Sequence, residues 1–162
     1  MTDKISTCDI CDDFPDVARP LPPIFADFGG KMAFHGFIRT VKCFEDNSKV
    51  KAVLATPGNG AVLIVDGGGS LRRSLVGGNV AASAAANGWS GMIVYGAVRD
   101  KLELEATEIG LKALALIPVK TDKKDVGDID IEIDIENVSI VPGAYVYADE
   151  DGIIICPKAV HS

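Results

Sequence analysis

Arg99 and Asp100 stand side by side just after an apolar run, Met92 to Tyr95. An arginine can clamp a carboxylate with two parallel hydrogen bonds. An aspartate is a hard oxygen ligand suited to Mg²⁺ or Mn²⁺. Upstream, Gly77 and Gly78 precede a small-residue helix predicted over Asn79 to Asn87. The glycines leave that helix start open, so an anion can reach the unpaired backbone N–H groups around Gly77, Gly78, Asn79 and Val80. A third feature, the turn from Asp66 to Ser70, follows a buried run that ends at Val65. Together these groups suit a small anionic keto acid held on a divalent metal.

Each feature also has a plainer reading. Gly67 to Gly69 can be a tight turn and nothing more. Asp100 can N-cap the following helix, with Glu103 as the reciprocal partner of a capping box. Arg99 can pair with an acidic neighbour, and Lys101 reads as a solvated first-turn lysine rather than a Schiff-base former. His35 and His161 are isolated in sequence. Cys8 and Cys11 form a C-x-x-C, but Cys43 and Cys156 stand apart and offer no second pair for zinc. Two reduced cysteines on a helix face fit better than a redox pair in so acidic a segment. No G-x-S-x-G, P-loop or G-x-G-x-x-G with its acidic partner is present.

The elements that must position these residues can be read in order. A short helix is predicted over residues 6–18, capped by Ser6 or Thr7. Pro15, Pro20, Pro22 and Pro23 then break regular structure, giving a packed N-terminal arm. A strand is predicted over 36–44, and a helix from Glu45 to Ala55 that ends at Pro57-Gly58-Asn59-Gly60. Ala61 to Val65 and Met92 to Tyr95 are continuous apolar runs, as in strands buried on both faces. With the helix between them they predict a parallel pair with a right-handed crossover. Ligands collect at the carboxyl ends of such strands, where Asp66 to Ser70 and Arg99-Asp100 fall. Gly88 suits the position just past the helix end. Residues 101–110 are predicted helical, and 113–119 a strand. The strict alternation from Ile129 to Ile135 predicts a strand with one wet face. Two short strands around a turn at Asp149 to Gly152 close the chain.

A length of 162 residues suits a single domain. Hydrophobic residues make up 48% and aromatics 6%, so the core must be mostly Val, Ile, Leu and Ala. A net charge of -7 argues against direct nucleic-acid binding and against an anionic membrane surface. No stretch reaches the roughly 18 apolar residues of a membrane helix. The N-terminus has no signal-peptide pattern, so a cytoplasmic location is expected.

Five stretches together resemble the RraA family. They are FADFGG at 25–30, TVKCFEDNS at 40–48, VDGGGSLRRSLVGG at 65–78, ANGWSGMIVYGAVRD at 86–100 and YADEDGIII at 147–155. That family joins regulators of ribonuclease E activity to the class II 4-hydroxy-4-methyl-2-oxoglutarate aldolases. The resemblance implies an α/β fold, a layered α/β/β/α sandwich of the swivelling-domain type, and trimeric rings with sites between subunits. The aldolases share a D-x20-R-D pattern. Its Arg and second Asp match Arg99 and Asp100, which implies substrate contact for the first and a metal, Mg or Mn, on the second. Backbone groups at Gly77, Gly78, Asn79 and Val80 are implied to hold substrate. The pattern's first Asp falls at Gly78, where this chain has no acid. The implied activity is metal-dependent release of pyruvate from 4-hydroxy-4-methyl-2-oxoglutarate, with decarboxylation of oxaloacetate. The alternative is a non-catalytic regulator that binds ribonuclease E or an RNA helicase. A methyltransferase label sometimes given to the family finds no strand–G-x-G–helix opening here.

Overall fold

The computed structural model describes residues 5–161. Its helices are α1 (Thr7–Asp13), α2 (Ser48–Leu54), α3 (Gly78–Ala86) and α4 (Lys101–Glu105). The strands are β1 (Arg19–Pro20), β2 (Ala26–Asp27), β3 (Phe34–Lys42), β4 (Val62–Asp66), β5 (Ser74–Val76) and β6 (Gly91–Val98). They continue as β7 (Gly110–Leu116), β8 (Asp128–Ile129), β9 (Ile133–Ile135), β10 (Val138–Ile140), β11 (Tyr145–Asp149) and β12 (Gly152–Cys156). The fold is a mixed α/β structure around one curled mixed sheet, in the order β1-β12-β11-β3-β4-β6-β7-β2. Neighbours among β3, β4, β6 and β7 pair in parallel. The β11–β12 hairpin adds antiparallel to β3.

The expected buried runs are the centre of this sheet. All five residues of β4 are buried, because both of its faces are covered. Leu63 and Val65 face a core shared with α2, α3 and α4. Val62 and Ile64 face a second core, closed by β9, β10 and the inner side of the hairpin. A third cluster lies on the other side of that hairpin, where Ile10 of α1 meets Tyr145, Tyr147, Ile154 and Cys156.

Several predicted elements differ in extent. Helix α1 stops at Asp13 rather than 18. Phe14 precedes Pro15, whose ring excludes helical backbone at the residue before it, and Phe14 takes φ -129, ψ 53. Helix α4 ends at Glu105, not 110, because Ile109 and Leu111 are drawn into the core as β7 begins. The alternating run from Ile129 to Ile135 is not one strand. Asp130 turns left-handed at φ 56, its N–H donates to the Thr40 carbonyl, and its carboxylate takes Nε and Nη2 of Arg39. The run therefore splits into β8, which pairs with β3, and β9, which pairs with β10. Helix α3 starts at Gly78, with Gly77 as its N-cap, one residue ahead of the predicted Asn79. Gly88 sits just past its end at φ 81, as expected. Cys8 and Cys11 are free and exposed on α1.

Candidate active site

The carboxyl end of β6 carries Arg99 and Asp100 to the start of α3. The Arg99 N–H donates to the Val76 carbonyl at 3.0 Å, which ties this corner to β5. Asp100 sits at the N-cap position of α4 but in left-handed backbone, φ 67 and ψ 51, and its side chain makes no cap bond to α4. A non-glycine residue there is strained, and such strain gathers at functional sites. The conformation turns the carboxylate back across the chain. Its Oδ2 accepts the Gly78 N–H at 2.9 Å. The helix-cap reading of Asp100 is therefore wrong for its own helix. The aspartate closes the start of α3 instead.

The intrahelical ladder of α3 begins with Ala81 N–H donating to the Gly77 carbonyl. The N–H groups of Gly78, Asn79 and Val80 lie ahead of it. Asp100 takes the first. Those of Asn79 and Val80 remain at the edge of a cavity of about 210 Å³, sized for a small acid. Gly77, Asn79, Val80, Arg99 and Asp100 all line this cavity. The opposite wall brings Lys51, Lys120 and Lys123, an anion-attracting surface that the sequence does not announce. The loop from Asp66 to Ser70 does not join them. It folds on itself, with Gly68 N–H on Asp66 Oδ1, and Glu45 accepts from Ser70 and Arg72.

One further carboxylate lies beside the start of α3. Glu103 lies one turn into α4, and a Cβ built on Gly78 would fall on its Oε2. The glycine is needed for space: its φ is not in the positive range. A carboxylate from position 103 thus occupies the space beside Gly78. The only sequence signal for this was the three-residue spacing of Asp100 and Glu103, which reads equally well as a capping box.

Asp100 and Glu103 flank Gly78 with hard oxygen donors. No group of three or more His, Cys, Asp or Glu residues is placed to hold a metal among the described residues. This donor set fits Mg²⁺ or Mn²⁺, which bind through one or two carboxylates and complete their shell with water and substrate oxygens. It does not fit zinc, which takes nitrogen and sulfur ligands.

The family model described as RraA-like, Aldolase/RraA, matches residues 7–155. The chain belongs to the RraA-like family. A relative from Alkalilimnicola ehrlichii, provisionally named a 4-hydroxy-4-methyl-2-oxoglutarate aldolase, is 50% identical over 157 residues, 97% of this chain and 98% of that one. Among solved structures, the RNA-processing inhibitor RraA of Thermus thermophilus superposes with a TM-score of 0.95 at 44% identity, covering 99% of this chain and 97% of that one. A Geobacillus kaustophilus protein titled S-adenosylmethionine:2-dimethylmenaquinone methyltransferase gives 0.94 at 41%, covering 96% and 97%. The RraA-like fold is thus shared by proteins bearing three different functional names.

Proposed function

We propose that this RraA-like protein is a divalent-metal-dependent aldolase that cleaves 4-hydroxy-4-methyl-2-oxoglutarate to pyruvate and also decarboxylates oxaloacetate. The observation that carries this reading is the convergence of Asp100 and Glu103 on Gly78, beside Arg99 and two free amides of α3. The name borne by the 50%-identical relative supports it.

A bound Mg²⁺ or Mn²⁺ would polarise the 2-keto group and so ease breakage of the adjacent C–C bond. Asp100 would hold that cation, with Glu103 accepting hydrogen bonds from the water around it. The Asn79 and Val80 amides orient the substrate carboxylate at the positive end of α3. Arg99 balances the negative charge that develops on the pyruvyl part. The test is pyruvate release from oxaloacetate with Mg²⁺ and then with EDTA. Turnover that ignores EDTA rejects the metal dependence, and no turnover rejects the enzyme reading.

A second reading, a regulator that binds ribonuclease E or an RNA helicase, is favoured by one observation: 44% identity to a protein titled an RNA-processing inhibitor. Ribonuclease pull-down and inhibition assays decide it. We also read the chain as one domain, and its three cores as a four-layer order. Helices α2 to α4, the parallel strands, the folded-over hairpin and α1 follow one another as an α/β/β/α sandwich. Phe37, Phe44, Leu102 and Val126, all well exposed, suit burial between subunits of a trimer. No helix among the described residues is long and apolar enough to cross a membrane. A cytoplasmic enzyme fits this.

A further inference from the structure

Residues 117–127 join β7 to β8 without regular secondary structure and carry Lys120, Thr121 and Lys123 to the cavity wall facing α3. Apolar burial does not hold this strap in place. Val119 and Val126 are exposed, and only Thr121 among residues 118–126 is buried.

Its first residues are tied beside β5, where the Ser74 N–H donates to the Val119 carbonyl at 2.7 Å and Arg73 Nη1 to the Lys120 carbonyl at 3.0 Å; polar groups at the start of α2 hold the rest. Asp46 is only 3% exposed. Its Oδ2 accepts the N–H groups of Lys124 at 2.8 Å and Val126 at 3.1 Å. Its Oδ1 accepts the Ser48 N–H at 2.9 Å and hydroxyl at 2.6 Å. The Ser48 hydroxyl oxygen accepts the Asp125 N–H in turn. Beside it, Asn47 Oδ1 accepts the Thr121 hydroxyl at 2.8 Å, and Asn47 Nδ2 donates to the Leu75 carbonyl. Burial pushes the Asp46 carboxyl up, but the bonds from Ser48, Val126 and Lys124 outweigh that and hold it at about 2. It is a fixed anion at any working pH.

We propose that Asp46 is a positioning residue for the active site. It fixes the 124–126 end of the strap, sets where Lys123 stands beside Lys120, and so confers preference for a doubly anionic 2-keto acid over a singly charged one. Asp46 is absent from the cavity lining and acts only through the strap. The inference rests on the aldolase reading for the identity of the substrate. Anion binding tests it independently.

Asp46→Asn keeps the shape but replaces one acceptor oxygen with an amide that cannot receive N–H bonds. Displacing a binding group by about 1 Å can cost on the order of 100-fold. We expect the KM for oxaloacetate to rise roughly 10- to 100-fold while kcat stays nearly constant. The Kd for malonate with Mg²⁺, measured by calorimetry, should rise in parallel, and amide exchange at Lys124 and Val126 should accelerate. In a Lys120→Met/Lys123→Met background, Asp46→Asn should have no further effect on KM or malonate affinity. A merely structural role would add its cost in both backgrounds, and that result overturns the proposal. Unchanged malonate affinity in Asp46→Asn overturns it too. Should Asp46→Asn fail to fold, Thr121→Val, which frees the strap at Asn47, is read against the same lysine background. A wild type that binds malonate but turns nothing over rejects only the aldolase reading. One that binds no malonate rejects the strap proposal.

Discussion

Asp100 accepts the Gly78 N–H through Oδ2 and also lines the cavity, where it is proposed to hold the metal. Substitution can separate these roles. Asp100→Asn keeps an acceptor for Gly78 and should leave the melting temperature close to wild type, yet lose the response to Mg²⁺. Asp100→Ala should lose both, including about 1 kcal/mol for the missing helix cap. If Asp100→Asn keeps full metal-dependent pyruvate release, the metal is not held there. Arg99→Ala should cost about 2–4 kcal/mol of transition-state stabilisation, the loss of one strong electrostatic donor. Steady-state kinetics with oxaloacetate read it directly. At Gly78 the geometry redirects an obvious design. An aspartate there would meet Glu103, placing two carboxylates in one space beside Asp100. Gly78→Asp alone should therefore lower stability and give little gain. Gly78→Asp with Glu103→Ala should recover turnover that Glu103→Ala alone loses, roughly 10- to 100-fold. A Glu103→Ala variant with wild-type turnover and metal affinity would remove Glu103 from the site.

Beside its apolar cores, this protein also joins elements through single buried carboxylates. Asp149, at the end of β11, accepts the Thr7 N–H at 2.9 Å and hydroxyl at 2.7 Å, and the Asp151 N–H at 2.9 Å. It docks the start of α1 and shapes the β11–β12 turn together. Burial raises its carboxyl, but the Thr7, Asp151 and Gly152 bonds win and leave it below its ordinary value. Asp149→Ala leaves those donors unpaired. It should cost about 1–3 kcal/mol in denaturant unfolding and speed amide exchange across residues 7–13. The distant Arg99–Asp100 site should keep its kinetics. Changed kinetics would mean that α1 couples to the site.

Over the whole molecule, acid should act in two stages. His35 on β3 packs against Tyr145, Tyr147 and His161, and its pKa is lowered first by burial, then by His161 and Lys31. Asp9 and Asp13 of α1 line the same cleft. A histidine whose folded pKa lies below its unfolded value of about 6.5 contributes stability above that value, lost as pH falls toward the folded one. Tyr147 links this cluster to the C-terminal segment. Its oxygen accepts the Val160 and His161 N–H groups and hydrogen-bonds His161 Nδ1 at 2.6 Å. Melting temperature should fall as pH drops below about 6.5. The second stage involves carboxylates held below their ordinary range, Asp46, Asp130 and Asp149. Their stability is present above the unfolded value near 3.9 and lost as pH falls through their folded values, about 2 for Asp46. A His35→Gln variant should lose the first stage and keep the second. An identical pH profile would place the first stage elsewhere.

Local chemistry decided much of this in advance. The buried runs of β4 and β6 follow from continuous apolar sequence, the end of α3 from Gly88, and the place of Arg99 and Asp100 from where β6 ends. Only the tertiary structure decided the rest. The break at Asp130 depends on Arg39, distant in sequence, and an alternating pattern continues unchanged across it. The α3 start moved to Gly78 because Asp100 supplies an acceptor from another element. Glu103 could be read as a capping partner because a three-residue spacing on a helix looks the same whether the acid turns to its own N-cap or to a neighbouring helix. The strap lysines carry no pattern at all. Their segment is tied down by contacts distant in sequence: Arg73 on the Lys120 carbonyl, Asn47 on the Thr121 hydroxyl, and Asp46 on the Lys124 and Val126 N–H groups. Periodicity records which face of an element is buried. The direction of a polar side chain depends on which N–H group lacks a partner nearby, and only the assembled chain determines that.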